Sequence, residues 1–313
     1  MDAKKYLQAK KEGYTLKNRV SMTIKNNNNS ADFIAPGFAI GCTAACTYCY
    51  VARHRDFGNP LHIYKNTNEI IDAIIDHHAY QPAKYPTYSN QQDRWQWTYD
   101  IGESTDLMSS VMIDLTNVVV RQIVLRSDAK PTFATKLCTP HTASLLDALA
   151  RPYRARVRAS LMPQRIADIV EVGTASMKDR ILAMKILEEK HYETHINFSP
   201  VILYDGWLKD YVELFKMIDQ TLGSDYWGRK VKSQLKCEVI MLLHTESLHK
   251  SNLSWNPEAE KLLWVPSKQE SKTNSRGQDD IKRYQMQLKK DAIQVFKAAL
   301  AKYLPYCKIR YIF

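Results

Sequence analysis

Ala39-Ile40-Gly41-Cys42-Thr43-Ala44-Ala45-Cys46-Thr47-Tyr48-Cys49-Tyr50 places three cysteines within eight residues, spaced C-x3-C-x2-C, with an aromatic residue after the last. The count carries chemical meaning. Iron–sulfur clusters ordinarily take four thiolates, so three leave one iron open to a further ligand. A single zinc ion is the competing occupant and needs a fourth ligand, such as His54. Three unconnected structural cysteines are the remaining possibility. Cys138, Cys237 and Cys307 are scattered along the 313 residues, a distribution that suggests a metal site and not a disulfide framework.

Working outward, the apolar run Gly37 to Ile40 predicts a strand directly before the loop. Ile70, Ile71, Ile74 and Ile75 predict a helix over 68–77. The same grammar repeats. Strand 95–99 precedes helix 108–125, strand 131–135 precedes helix 142–149, and strand 156–161 precedes helix 176–190. Two more strands, 195–203 and 235–243, bracket a helix over 208–222. Strands alternating with long helices imply parallel βαβ units, and about six of them point to an α/β fold with a partial (β/α)6 TIM-like barrel. A doubly wound sheet gives a similar pattern. In such barrels the sites sit on loops at the C-terminal strand ends, where the cysteine loop is expected.

Residues 1–31 are rich in Lys and Asn and close on Asn26-Asn27-Asn28-Asn29-Ser30, too polar to pack and read as an N-terminal extension. The barrel is expected over 32–245. Residues 246–313 form a C-terminal α+β extension: a basic stretch over 268–283, a helix over 285–303 and a terminal strand over 308–313. The charge balance, 44 Lys and Arg against 33 Asp and Glu, leaves +11 and favours a polyanionic partner such as nucleic acid. No run of eighteen apolar residues occurs, and Met1-Asp2-Ala3-Lys4-Lys5 opens no apolar signal core. A cytoplasmic protein with no membrane partner is the expectation.

Six landmarks together resemble the radical S-adenosylmethionine (SAM) enzymes, and among them the spore photoproduct lyase family. They are the cysteine loop, Ala134-Thr135-Lys136, Arg156-Val157-Arg158-Ala159-Ser160, Glu171-Val172-Gly173-Thr174, the segment from Ser199 to Trp207, and the end from Lys308 to Phe313. The resemblance runs from about Ala35 to Phe313. It implies a [4Fe–4S] cluster on Cys42, Cys46 and Cys49, with SAM on the open iron. Reductive cleavage of SAM then yields a 5′-deoxyadenosyl radical that repairs a UV-induced thymine dimer in DNA. Glu103, Ser104, Lys136 and Ser160 fall where such enzymes contact SAM. Tyr48 and Tyr50 match tyrosines that relay hydrogen. The chemistry needs a reductant of flavodoxin or ferredoxin type, and the chain is expected to act as a monomer.

One position departs from the family. Where a hydrogen-donating cysteine is expected immediately before Ser104, this sequence has Glu103. Cys138, two residues beyond Lys136, is the candidate replacement donor. Lys272, Arg276, Lys282, Arg283 and Tyr284, together with Lys268, fall where the family has a hairpin that inserts at the lesion, and they are read as nucleic-acid contacts. Arg151, Arg154, Arg156 and Arg158 form a second basic cluster that could line a DNA groove. Two other functions stay open: modification of a different base or substrate by the same radical chemistry, and a nucleic-acid-binding protein with a structural or redox-sensing cluster.

Overall fold

The strand Arg156–Ser160 is buried along its whole length, although alternate residues differ sharply in character. Side chains alternate between the faces of a strand. Val157 and Ala159 therefore meet the apolar layer on one face, while Arg156 and Arg158 meet carboxylates on the other. Arg158 pairs at 2.5 Å with Asp100, two strands away on one side, and at 3.6 Å with Glu238, two strands away on the other. Such reach in both directions requires the sheet to curl around that face.

The computed structural model describes residues 14–27, 29–51, 61–85, 92–223, 235–273 and 280–313. Its main sheet has eight strands, in the order Lys308–Ile312, Lys236–Met241, Glu193–Val201, Arg156–Ser160, Lys130–Thr135, Thr98–Asp100, Phe33–Ile34 and Lys25–Asn26. Neighbours run parallel except at the last pair, which is antiparallel. Helices Ile113–Arg126, Met177–Glu189 and Trp207–Leu222 cross between strands. Ser176 caps the second by accepting from the Asp179 N–H at 3.1 Å, which is where the polar residue before an apolar repeat belongs. This curled, open α/β sheet is the expected half-barrel.

The expected strands from Trp95 onward appear with shifted ends, but the first does not join the barrel. Phe33–Ile34 takes that place beside Thr98–Asp100. Ala39–Ile40 lies instead in a small sheet with Leu61–Tyr64 and Tyr14–Lys17. Tyr14–Lys17 and Lys25–Asn26 therefore pair within residues expected to be too polar to pack. Apart from the Thr15 hydroxyl, which bonds His62, their side chains stay exposed, so backbone hydrogen bonds mainly hold these strands, a force that hydropathy does not report. At the other end, Lys308–Ile312 pairs in parallel with Lys236–Met241. The preceding helix, Met286–Tyr303, sets Phe296 edge-on to Phe198 at 5.5 Å. Truncating a buried Phe of this kind costs about 3–5 kcal/mol, so the C-terminal residues help build the barrel core.

The concave face is an ion-pair lattice. Lys130 pairs with Asp93 at 2.9 Å and Glu193 at 2.5 Å, Arg156 pairs with Glu193 at 2.9 Å, and Arg310 pairs with Glu238. Arg156 and Arg158, read from sequence as a DNA-lining face, are 0% and 3% exposed. They point into the barrel. Arg154 is likewise buried against Asp128 at 2.6 Å. A period of two puts such residues on one face but does not say which.

Candidate active site

Three strand ends and the cysteine loop converge at one rim of the barrel. After Lys130–Thr135, the Lys136 N–H donates to Asp106 Oδ2 at 2.7 Å, and Thr135 Oγ1 donates to Asp106 Oδ1 at 2.7 Å. Burial raises the Asp106 carboxyl, and these hydrogen bonds pull it partly back. Asp106 thereby ties the segment carrying Glu103 and Ser104 to the Lys136 loop. Lys136 Nζ reaches Ser160 Oγ, at the end of the next strand, at 3.3 Å and lies 5.7 Å from the Tyr48 ring centre.

The cysteine loop is tied to the same segment at both ends. Gly41 has φ of +107°, a conformation that strains a residue with a Cβ, and its N–H donates to the Ser104 carbonyl at 2.9 Å. At the other end the Tyr50 hydroxyl donates to the Glu103 carbonyl at 3.1 Å. In the middle, Ala45–Cys46 pairs antiparallel with Glu171–Val172, with Glu171 opposite Cys46. The Thr47 N–H donates to the Val170 carbonyl at 2.9 Å.

Glu171 and Arg180 extend this framework, and neither had an assigned role in the sequence reading. The Tyr48 hydroxyl donates to Glu171 Oε1. Glu171 Oε2 accepts from an Arg180 guanidinium nitrogen at 2.7 Å, and another nitrogen of Arg180 donates to the Ser160 carbonyl at 2.7 Å. Glu171 is 2% exposed and Arg180 0%. Nothing in their nine-residue separation marks them as partners. The available signal was an unassigned acid inside the Glu171-Val172-Gly173-Thr174 landmark.

Cys46 is buried, while Cys42 and Cys49 are partly exposed. Burial and then the Glu171 carboxylate push the Cys46 thiol well above its ordinary range, so it needs a cationic centre to become a thiolate ligand. The donor set fits [4Fe–4S]. His54, the proposed fourth zinc ligand, lies outside the described residues. Burial and then Glu171 raise the Tyr48 phenol, and burial and then Glu103 raise that of Tyr50, so both stay protonated.

Not every expected residue joins this group. Cys138 is 1% exposed, within the apolar cluster that includes Leu107, Met108 and Ala143. Burial and then Asp106 raise its thiol. Those surroundings suit a structural cysteine. Residues Gln269–Thr273 and Asp280–Tyr284 pair as the two strands of an antiparallel hairpin. Lys272 and Arg283 carry partly exposed heads, both leaning on Glu270, while Lys268 reaches Asp205 at 3.2 Å. Lys282 is buried, with Nζ 2.7 Å from Glu246 and 3.9 Å from the Trp264 ring centre. Tyr284 is 3% exposed, and its hydroxyl accepts from the Leu203 N–H at 2.8 Å. Neither presents its side chain to a nucleic acid here. The odd–even pattern of the hairpin turns both inward, and the burial of those positions was hidden by their polarity. Arg276 lies outside the described residues.

An open α/β barrel with a three-cysteine loop at its rim defines the radical SAM class. The family model for spore photoproduct lyase matches residues 1–313, and the chain belongs to that family. It is similar to the spore photoproduct lyase of Bacillus subtilis, at 26% identity over 211 residues covering 66% of this chain and 56% of the relative. Similarity to the Clostridium acetobutylicum lyase is 24% over 222 residues, covering 70% and 58%. These matches span under two thirds of either relative. Among solved structures, a spore photoproduct lyase complexed with dinucleoside spore photoproduct superposes with a TM-score of 0.81 at 19% identity, covering all of this chain and 86% of that one. A mutant lyase with bound AdoMet and the same dinucleoside gives 0.82 at 18% identity, with the same coverage. At these identities the superpositions speak for the fold.

Proposed function

We propose that this chain is a radical SAM lyase that repairs spore photoproduct, a thymine dimer, in DNA by carbon–carbon bond cleavage. The observation that carries the reading is a convergence at one rim: the cysteine loop hydrogen-bonds the Glu103 and Ser104 carbonyls, and Asp106 ties that segment to Lys136, which reaches Ser160. Cys42, Cys46 and Cys49 would hold the [4Fe–4S] cluster. When bound and reduced, the cluster supplies the electron that cleaves SAM and starts radical chemistry.

The residues of the chain then position and protect. Lys136, with Ser160 beside it, offers an ammonium donor to the SAM carboxylate. The Glu103 side chain is exposed at the rim and can accept from the SAM amino group. Tyr50 and Tyr48 stand at the loop as protonated phenols, bonded to the Glu103 carbonyl and to Glu171, and serve as hydrogen sources in place of the buried Cys138. The hairpin carrying Lys272 and Arg283 supports DNA as the partner, since such cations neutralise phosphate.

The test is anaerobic. Reconstituted protein, dithionite, SAM and DNA carrying defined spore photoproduct should yield 5′-deoxyadenosine and convert the lesion to two thymines. Absence of deoxyadenosine refutes radical chemistry. Deoxyadenosine without lesion conversion favours the second reading, modification of another base or substrate, which the carboxylate of Glu103 in place of a donor thiol supports.

A further inference from the structure

Beyond Met241 the chain assembles a second polar cluster for which the radical chemistry has no use. His244 stands on the short strand Leu243–Thr245, His249 on the helix Glu246–Trp255, and Glu260 on the helix Pro257–Leu263. Thr245 and Asn256 cap these helices by accepting from the Leu248 and Ala259 N–H groups, each at 3.2 Å. The two tight turns bring the three side chains face to face. Glu260 accepts from His244 Nε2 at 3.0 Å on both oxygens, from His249 Nδ1 at 2.5 Å and from Asn252 Nδ2 at 2.5 Å.

We propose that His244, His249 and Glu260 bind a divalent transition-metal ion of the zinc type, with water completing the coordination. Two imidazoles and one carboxylate are a borderline donor set suited to such ions, and without sulfur the set does not favour copper(I). The three ligand atoms lie within 4.8 Å of one another. Tetrahedral coordination at ~2.1 Å would separate them by roughly 3.4 Å, so small side-chain movements open the site.

The surroundings are those of a built site. The side chains of His244 and Glu260 are 0% and 3% exposed, while that of His249, at 17%, leaves an entry side. His244 Nδ1 has no hydrogen-bond partner among the described residues, so polar contact orients the ring through Nε2 alone. Asn252 steadies the carboxylate and also donates to the Thr47 carbonyl at 3.1 Å, between Cys46 and Cys49. An ion here would fasten the C-terminal helices to the back of the cysteine loop without touching the radical chemistry.

The full-length protein, reconstituted anaerobically with iron and sulfide so that the cysteine loop is filled, is incubated with zinc, desalted and analysed for metals. The expected result is one zinc per chain. His249→Ala and Glu260→Gln should each lower the zinc content about tenfold or more while iron stays unchanged. Cobalt(II) in place of zinc should show ligand-field bands without thiolate charge transfer. Wild type that retains no stoichiometric zinc, variants that retain it fully, or cobalt bound through thiolate would each overturn the proposal. The wild-type measurement does not depend on whether a variant folds. Iron content and deoxyadenosine yield report separately on the cysteine loop.

Discussion

Replacing Glu171 by alanine tests how the fold holds the cysteine loop. The substitution strips Arg180, 0% exposed, of its carboxylate, and breaking a buried ion pair from one side typically costs about 3–5 kcal/mol. Arg180 retains neutral acceptors in the Thr174 hydroxyl at 2.6 Å, the Ser160 carbonyl at 2.7 Å and the Ala175 carbonyl at 3.0 Å, which places this part near ~3 kcal/mol. Tyr48 loses its acceptor as well, adding about 1 kcal/mol. The sum is about 4 kcal/mol, or a melting midpoint lower by roughly 6 °C for a chain of this size. Anaerobic thermal and denaturant unfolding measure it, with iron content after desalting as a second readout because Glu171 pairs with Cys46. The double variant Glu171→Ala/Arg180→Leu should be more stable than the sum of the single effects by about 1–2 kcal/mol. A single-variant loss below about 1 kcal/mol, or strict additivity, refutes the assignment of Glu171 as the charge partner that secures the loop.

Three more predictions follow from the same contacts. Cys46→Ala should abolish cluster absorbance and deoxyadenosine formation, whereas Cys138→Ala should leave iron content intact, as metal analysis and product assay would show. Burial alone would raise the Glu238 carboxyl, but Arg158, His195 and Arg310 hold it down at about 2. Because the folded value lies below the unfolded one, its stabilisation is complete above about pH 4.5 and fades as pH falls toward 2, an effect of about 3 kcal/mol. Acid unfolding of Glu238→Gln should therefore be shallower over that window, and equal slopes would contradict the assignment. Lys272→Ala should weaken DNA binding and reduce the salt slope by about 1. Arg158→Ala should instead lower stability by leaving the buried Asp100 carboxylate without its cation, and binding isotherms at several salt concentrations separate the two outcomes.

The cysteine loop was legible because its chemistry is local: three thiols at fixed spacing lie within one turn of chain. The barrel was legible because alternating βα units repeat a pattern that burial enforces. What sequence could not show was direction and distant pairing. Arg156 and Arg158 read as surface cations because Asp93, Glu193 and Glu238, which neutralise them, lie far away in sequence or on strands not yet ordered. Lys282 and Tyr284 misled for the same reason, since Glu246, Trp264 and the Leu203 amide are contributed by other elements. Glu103, Ser104, Lys136 and Ser160 came from family resemblance, and the structure gathers them at one rim. Glu171, Arg180 and the His244–His249–Glu260 group emerge only in three dimensions.

The charged interior also constrains how the barrel can be assembled. Shifting one strand by a single residue turns each of its side chains to the opposite face. In an apolar interior such an error exchanges one oily residue for another. Here it would thrust Arg156 and Arg158, or Glu238, among the helices and strand their partners on Thr98–Asp100, Glu193–Val201 and Lys308–Ile312. The lattice acts as proofreading for strand registration: a one-residue slip of any of these strands leaves buried charges without their partners.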